Sequence, residues 1–364
     1  VNPMVEHGVS VVVPVRGRVP QLRRLLDSLT VAVRRCPEPV EVIVVDDSAA
    51  ADARRHRESC DRADARYLRG PRHVGAKRNL GVRNARYDLV LFIDSDCRAS
   101  PDLIRRHAAT LRAAPPGIGG VTGPSAPVPG RGYLDRVMAG SEVLNGDLSR
   151  PARYAQLTWA TTCNLAVRRA AFDAAGGFPE RSLTVVAGED VELGVRLSGA
   201  GYAIRCDPAA GVEHDPPTSG GVRGLVRRLY TYGRSEQWLC AIHPERRRFV
   251  WNPATVLGVA ALTAATVPAR VRGPVLLGVP LLAGAVLTVR LRRELARDRT
   301  GPVTEALTRV VLELSFDVGA AVAAVQLGRP ALLLGGLHPV DERDVLRTAP
   351  PGVTEEFALV EGQA

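Results

Sequence analysis

Leu89-Val90-Leu91-Phe92-Ile93-Asp94-Ser95-Asp96 decides the reading of this chain. The apolar run has the composition of a strand buried on both faces, and the carboxylates begin where such a strand meets solvent. Carboxylates at i and i+2 share one face of an ideal strand. A strand that ends in a turn splays them, so that one reaches a metal and the other a neighbouring hydroxyl. Hard cations such as Mg²⁺ and Mn²⁺ take oxygen ligands of this kind and keep positions open for phosphate oxygens. Asp and Ser are also ordinary strand-ending residues, so the pair gains meaning only from its surroundings.

Working upstream, Val9 to Val15 is a β-branched run, and Pro20 to Arg34 carries Leu22, Leu25, Leu26 and Leu29 at helical spacing. Val40 to Val45 is a second apolar strand ending at Asp46-Asp47-Ser48; a polar helix, a short strand at Tyr67-Leu68 and a helix opening near Gly75 follow. Continuously apolar strands joined by helices predict an α/β fold with a mostly parallel, Rossmann-like sheet covered on both faces. Ligands of such sheets sit at the carboxyl ends of the strands, where both Asp46-Asp47 and Asp94-Ser95-Asp96 fall. Downstream, the pattern predicts a helix over Pro101 to Leu111, a strand around Gly120 to Gly123, and a helix and loop over Tyr133 to Arg153. A strand over Thr161 to Val167, a helix from Gly188 to about Gly199, a strand over Tyr202 to Asp207 and a helix over Val222 to Trp238 complete this part.

The length of 364 residues allows about two domains. Net charge is +10, yet aromatic residues are only 4% and none is interleaved with the basic clusters, so nucleic acid is not expected as a partner. Anionic lipid and a phosphorylated substrate fit the charge better. Cys36, Cys60, Cys97, Cys163, Cys206 and Cys240 are widely spaced without zinc spacing, which predicts reduced thiols. Val1 to Gly8 has no basic segment leading into an apolar one, so no secretory signal is expected. Past Asn252 the composition shifts: Pro253 to Pro268 and Pro274 to Val289 are almost free of charge, and Val318 to Leu337 is a third apolar stretch. Both of the first two fall short of the ~20 residues of a spanning helix. Arg246 to Arg248 and Arg290 to Arg299 flank the pair, so a hairpin would keep both basic flanks on the cytoplasmic side. The expectation is therefore a catalytic unit over 1–249, a hydrophobic helical region over 250–340 associated with the cytoplasmic face of the cell membrane, and an acidic, disordered tail over 341–364. A purely soluble helical subdomain is the alternative for the middle region.

Several short motifs now stand in order: Val11-Val12-Val13-Pro14-Val15, Val44-Val45-Asp46-Asp47-Ser48, Gly75-Ala76-Lys77-Arg78-Asn79-Leu80-Gly81, Phe92-Ile93-Asp94-Ser95-Asp96-Cys97, Ala175-Gly176-Gly177-Phe178-Pro179, Gly188-Glu189-Asp190-Val191-Glu192-Leu193 and Val212-Glu213-His214. Together, over roughly residues 8 to 245, the chain resembles the family 2 glycosyltransferases of the GT-A fold. The resemblance implies a nucleoside diphosphate-sugar donor and a divalent cation, Mg or Mn. It implies that Asp47 accepts a hydrogen bond from the nucleobase in a pocket formed partly by Pro14 and Val15, and that Lys77 and Arg78 face the nucleotide or its diphosphate. Asp94 would contact ribose or metal, Asp96 would be the metal ligand, and His214 would complete the metal or diphosphate site. Asp190 would be the general base, within reach of the acceptor hydroxyl, with Glu189 orienting it or the sugar. Asn164 and Trp159 are candidates for lining the donor-sugar or acceptor pocket. Each residue also has a plain structural reading: a cap for Asp47, a solvated basic face for Lys77 and Arg78, helix-dipole acids for Glu189 and Asp190, a core role for Trp159.

The Gln-x-x-Arg-Trp signature of processive synthases is absent, since Gln237 and Trp238 are adjacent, so a single transfer is expected. Arg227 to Ser235, followed by His243-Pro244, resembles the actinobacterial branch that includes the mycofactocin-type glycosyltransferases. The acceptor expected is a small-molecule, peptide-derived or lipid-linked hydroxyl. Two competing readings are a membrane-tethered binding protein that keeps the fold without turnover, and a sugar nucleotidyltransferase. The second would need a Gly-rich basic loop after the first strand, of which Val15-Arg16-Gly17-Arg18 is a faint echo.

Overall fold

The computed structural model describes residues 6–128, 130, 132–145, 148–180, 187–216, 220–297, 301–338 and 344–346. In chain order the first half-sheet is β1 (Glu6–Val15), α1 (Val19–Arg34), β2 (Val40–Asp46), α2 (Ala50–Arg62), β3 (Arg66–Arg69), α3 (Val74–Arg83) and β4 (Tyr87–Ile93). Strands β1, β2, β3 and β4 run parallel, with β4 and β2 on opposite sides of β1. The chain thus reverses its direction of travel across the sheet at β1, and the crevice between the ends of β1 and β4 is where such sheets hold ligands.

Period-two alternation explains why both faces are covered. Val9, Val11, Val13 and Val15 of β1 and Leu89, Leu91 and Ile93 of β4 enter one core with the α1 leucines. Val12, Val90 and Phe92 enter the opposite core, where Phe92 meets Phe178 edge-on at 5.1 Å. Asp94 continues the Phe92 parity and so emerges on the side of α3. A turn closed by the Cys97 amide donating to the Asp94 carbonyl (3.0 Å) then carries Asp96 away from it.

The second half contains β5 (Cys97–Ala99), α4 (Leu103–Ala113), β6 (Ile118–Thr122), β7 (Ser125–Pro127), α5 (Tyr133–Ala139), α6 (Glu142–Asn145), α7 (Arg150–Arg153), β8 (Tyr154–Leu157), β9 (Asn164–Arg168), α8 (Arg169–Ala174), α9 (Glu189–Gly199), β10 (Ala203–Cys206) and β11 (Val212–His214). The main sheet has nine strands, ordered β14-β8-β10-β6-β9-β4-β1-β2-β3, where β14 is Val345–Leu346. Most of its strands run parallel, with β9 antiparallel to β4 and β6, and β8 antiparallel to β10 and β14. A small sheet, β5-β11-β7, sets His214 opposite Cys97.

The C-terminal region holds α10 (Gly221–Ile242), β12 (Arg247–Phe249), α11 (Pro253–Thr266), α12 (Ala269–Arg297), α13 (Val303–Gln326) and β13 (Gly335–Leu337). The expected apolar segments are helical, but a spanning hairpin is not formed: no helix among the described residues is long and apolar enough to cross a membrane. The reason is length and charge, since α11 has 14 residues and the 29-residue α12 carries Arg270 and Arg272 at its start and Arg290, Arg292 and Arg293 near its end. The boundary expected at residue 249 is crossed by close packing. A Cβ on Gly233 of α10 would lie 1.9 Å from the Phe316 carbonyl oxygen, and one on Gly319 of α13 would lie 2.1 Å from that of Tyr230. Of the expected tail, residues 344–346 return to the main sheet, where β14 pairs with β8. The Asp344 carboxylate accepts from the Thr158 amide (2.7 Å) and from Arg150 (2.5 Å); the remainder of 341–364 lies outside the described residues.

Two predictions follow from packing and charge. Gly319→Ala is expected to lower stability by about 2 kcal/mol through overpacking at the helix crossing. Gly258→Ala, in α11 with open space around it, is expected to raise stability by about 0.5–1 kcal/mol through helix propensity; urea denaturation of both variants checks the opposite signs. Asp46, wholly buried at the end of β2, receives hydrogen bonds from Tyr67 (2.8 Å) and the Ser48 amide (2.7 Å) and faces His56 at 3.2 Å. Burial pushes its pKa up, and His56, Ser48 and Tyr67 overcome that push, holding it well below the usual carboxylate range. Its contribution is present at neutral pH, begins to fade as pH drops through the ordinary carboxylate range, and is lost through the lower folded value. Asp46→Asn is therefore expected to cost about 3 kcal/mol at pH 7, with the difference from wild type shrinking in urea melts at acid pH.

Candidate active site

The site sits at the carboxyl ends of β1, β2 and β4. At its nucleotide side, Pro14 and Val15 close β1 beside Val45 and Asp46 of β2. The Asp47 carboxylate accepts from Lys77 Nζ at 2.5 Å, and the same Nζ donates to the Val15 carbonyl at 3.1 Å. Asp47 Oδ2 accepts no hydrogen bond among the described residues and lies 3.6 Å from Arg16 Nε. A buried acceptor left in this state suits a donor N–H. Burial lowers the Lys77 pKa, with the Asp47 contact opposing. Lys77, expected to face the nucleotide or its diphosphate, has its ammonium buried against Asp47 and the end of β1, on the nucleotide side of the site.

Arg78, the neighbouring cation, is also paired within the protein. Its guanidinium is buried, donating through Nη2 to Asp94 Oδ1 and through Nη1 to Glu189 Oε1, each at 2.7 Å, while lying 5.4 Å from the centre of the Phe178 ring. The geometry that Asp94 inherits from strand parity brings it to α3, and Arg78 joins it to the first residue of α9. Burial pushes Asp94 up, but the Arg78 and His214 charges prevail and hold it below the usual carboxylate range. Glu189 is thus a fixed partner of Arg78. Asp190, the next residue, is half-buried, and its Oδ1 accepts the Val191 amide at 2.9 Å. Gly188, with φ of 81°, turns the chain into α9, where a Cβ would meet Ser235 of α10 at 2.4 Å.

Asp96 faces a guanidinium and an imidazole. Arg18 pairs with its Oδ2, and His214 Nε2 lies 3.8 Å from Oδ1. The His214 Nδ1 is 2.8 Å from the Asp215 carbonyl, an arrangement that places a proton on Nδ1 and leaves Nε2 on the side of Asp96. The Asp215 amide in turn donates to the Asp96 carbonyl at 2.9 Å, locking the two loops together. Ligand atoms of Asp96, Cys97 and His214 lie within 4.8 Å of one another. Burial drives the Cys97 thiol well up, disfavouring thiolate, so a hard cation would meet one carboxylate oxygen and one imidazole nitrogen here. Burial lowers the His214 pKa, while Asp96, Cys163 and Asp94 together overcome it and leave it raised. The residues therefore fit a divalent cation, for which His214 must give up any second proton.

His214 and Asp94, but not Asp96 or Asp47, line a cavity of about 620 Å³ whose wall also carries Trp159 and Asp190. Trp159 also lies 5.2 Å from the Arg150 guanidinium. Asn164 takes no part in the wall; it is fully buried, 2.8 Å from His107 Nε2 and donating to the Ala210 carbonyl at 2.8 Å. The far wall comes from residues the sequence reading did not single out: Tyr232 of α10, Arg290 of α12, Glu313 and Phe316 of α13. Burial pushes the Tyr232 phenol up to about 12, so it enters the cavity as a neutral hydroxyl. Arg18 was also missed; its only sequence signal is the Arg16-Gly17-Arg18 run after the first strand.

Residues 10–176 match the model of glycosyl transferase family 2. A pre-mycofactocin glycosyltransferase of Mycobacterium tuberculosis, found in strains CDC 1551 / Oshkosh and ATCC 25618 / H37Rv, is 29% identical over 302 residues. The match covers 79% of this chain and 57% of that protein, so the chain spans little more than half the length of this relative. The O-antigen biosynthesis protein RfbC of Myxococcus xanthus is 27% identical over 251 residues, covering 64% of this chain and 19% of that one. Among solved structures, the mannosyltransferase PcManGT of Pyrobaculum calidifontis, in complex with GDP-Man and Mn²⁺, is similar in fold with a TM-score of 0.52 at 18% identity, covering 88% of each chain. The α/β GT-A-like fold expected from the sequence is the one observed. Residues 10–176 thus match a family 2 glycosyl transferase domain, set within a GT-A-like fold, and 79% of the chain is similar to the mycobacterial glycosyltransferase.

Proposed function

We propose that the chain is an inverting, metal-dependent, non-processive glycosyltransferase that uses a nucleoside diphosphate-sugar. The observation that carries this reading is the Asp94–Arg78–Glu189 bridge, which fixes the strand end bearing Asp96 against the helix start bearing Asp190 across one cavity. A divalent cation held by Asp96 and His214 would supply Lewis-acid neutralisation of the departing diphosphate. Asp47 Oδ2 receives a nucleobase N–H. Asp190 accepts the proton of the acceptor hydroxyl as its oxygen forms the new bond to the sugar C1 and the bond from C1 to the diphosphate oxygen breaks. Glu189, held by Arg78, keeps the α9 start in place and leaves base chemistry to its neighbour.

The acceptor enters from the side of α10, α12 and α13, where apolar Val143, Leu144, Phe316 and Leu337 share the wall with Tyr232 and Glu313. That mixture suits a small-molecule, peptide-derived or lipid-linked acceptor better than a growing polysaccharide, and the likeness to a pre-mycofactocin glycosyltransferase supports a dedicated acceptor. The enzyme is placed on the cytoplasmic face of the cell membrane, lying on the bilayer. Support comes from Phe249 and Trp251, 63% and 68% exposed and stacked edge-on, next to Arg246, Arg247 and Arg248. Leu262 of α11 and Leu281 of α12 add apolar surface at 66% and 75% exposure. Aromatic and basic residues side by side suit the headgroup level of an anionic membrane.

Three measurements check this. Across a panel of nucleotide-sugars, Mn²⁺-dependent release of nucleoside diphosphate is expected in wild type and absent in Asp96→Ala; no metal-dependent release from any donor would defeat the metal reading. Asp190→Asn is expected to keep nucleotide binding and lose about 10²–10⁴-fold in transfer rate. Sedimentation with phosphatidylglycerol vesicles is expected to carry wild type down at low salt and to leave Phe249→Ser/Trp251→Ser in the supernatant; equal partition of the two would remove the membrane claim.

A further inference from the structure

The loop between β1 and α1 has no task in the reaction just described, yet it covers both carboxylates assigned to the donor. Arg16 Nε approaches Asp47 Oδ2, and Arg18 pairs with Asp96 Oδ2. Both arginine side chains remain well exposed on their outer sides, 58% and 39%, while the two carboxylates are nearly buried. The backbone is arranged for this. Gly17 has φ of 61° and Arg18 φ of 59° with ψ of 40°, a left-handed pair that turns the chain sharply before Val19-Pro20 opens α1. Gly adopts that conformation readily; Arg does so at a cost, and it has no side-chain cap on the helix to offset it. The ion pair to Asp96 is the compensation on view. The Gly17 amide donates to Ser48 Oγ at 2.7 Å, which ties the turn to the end of β2.

We infer that Arg18 is a placeholder cation: it neutralises Asp96 while the cation site is empty, and moves to the donor's diphosphate when a divalent ion takes its place. This rests on the assignment of Asp96 to the metal. Asp96 Oδ2 is shared between two claimants, a guanidinium and a metal ion, and only one can hold it. His214 meets the other oxygen, so displacing Arg18 leaves the rest of the site intact. The released guanidinium stays within the same crevice, where a diphosphate presents the oxygens a planar fork can grip. Exchange of this kind lowers affinity for the bare ion and raises affinity for ion and nucleotide together, so the site fills as one unit.

The test uses the full chain and reads binding rather than turnover. Mn²⁺ binding by electron paramagnetic resonance without nucleotide is expected to tighten about two- to fivefold in Arg18→Gln, because a competing ion pair is gone. With saturating Mn²⁺, binding of UDP or GDP, whichever the wild type prefers, is expected to weaken about tenfold in the same variant. Arg18→Gly, which suits the left-handed backbone, is expected to reproduce both shifts and guards against misfolding. Opposite signs are the signature, since damage to the loop weakens both. Mn²⁺ binding that is unchanged or weaker in both variants, or unchanged nucleotide binding, overturns the inference. If wild type binds Mn²⁺ and Asp96→Ala does not, that failure belongs to Arg18 alone; if no protein binds Mn²⁺, the metal reading falls with it.

Discussion

Everything in the site hangs on one buried guanidinium. Arg78 stands between Asp94 at the end of β4 and Glu189 at the start of α9, elements separated by most of the catalytic sequence. A charge removed from water needs well-placed partners, and here both are carboxylates, one from each of those two elements. Phe178 lies against the guanidinium, so the bridge is shielded, while Arg78 Nε is left without a hydrogen-bond partner among the described residues. Neither carboxylate can drift without leaving Arg78 uncompensated in the interior. The spacing between the end of β4 and the start of α9 is thereby set by electrostatics within the protein.

The sequence made the skeleton legible because its signals are local. Val11 to Val13 and Leu89 to Ile93 alternate between two cores, Val42 and Val44 join the first, and charged residues fall where these strands end. Asp96 and His214 meet near Cys97 as the motif order implied, through a small sheet of three-residue strands too short to carry a periodic signal. Lys77 and Arg78 show the limit. Two adjacent cations at a helix start look alike in sequence, yet one is spent on Asp47 and the other on Asp94 and Glu189. Pairings across such distances leave no trace in spacing. Asn164 failed for the same reason: its partners His107 and Ala210 come from elements far along the chain.

Apolar composition and basic flanks point the C-terminal helices toward the membrane. In the fold their apolarity has two destinations. One side of α13 lies on α10 through Gly319 and Gly233 and lends Phe316 and Glu313 to the cavity. The outer sides of α11 and α12 stay exposed. Small residues at a helix crossing weigh little on a hydropathy scale although they decide how near two backbones come, so the sequence showed the stickiness of this region and hid its architecture.

The glycine crossing of α10 and α13 also bears on how acceptor preference can change. With backbones in contact at Tyr230 and Phe316, neither helix can be rotated or exchanged alone, because a new partner would bring side chains where none fit. Arg290 ties α12 to Asp317 at 2.6 Å, and β14 closes onto β8 beyond them. This wall of the cavity is consequently inherited as a block. Diversification has to work by repainting individual side chains on a fixed frame, or by replacing everything from α10 to β14 at once.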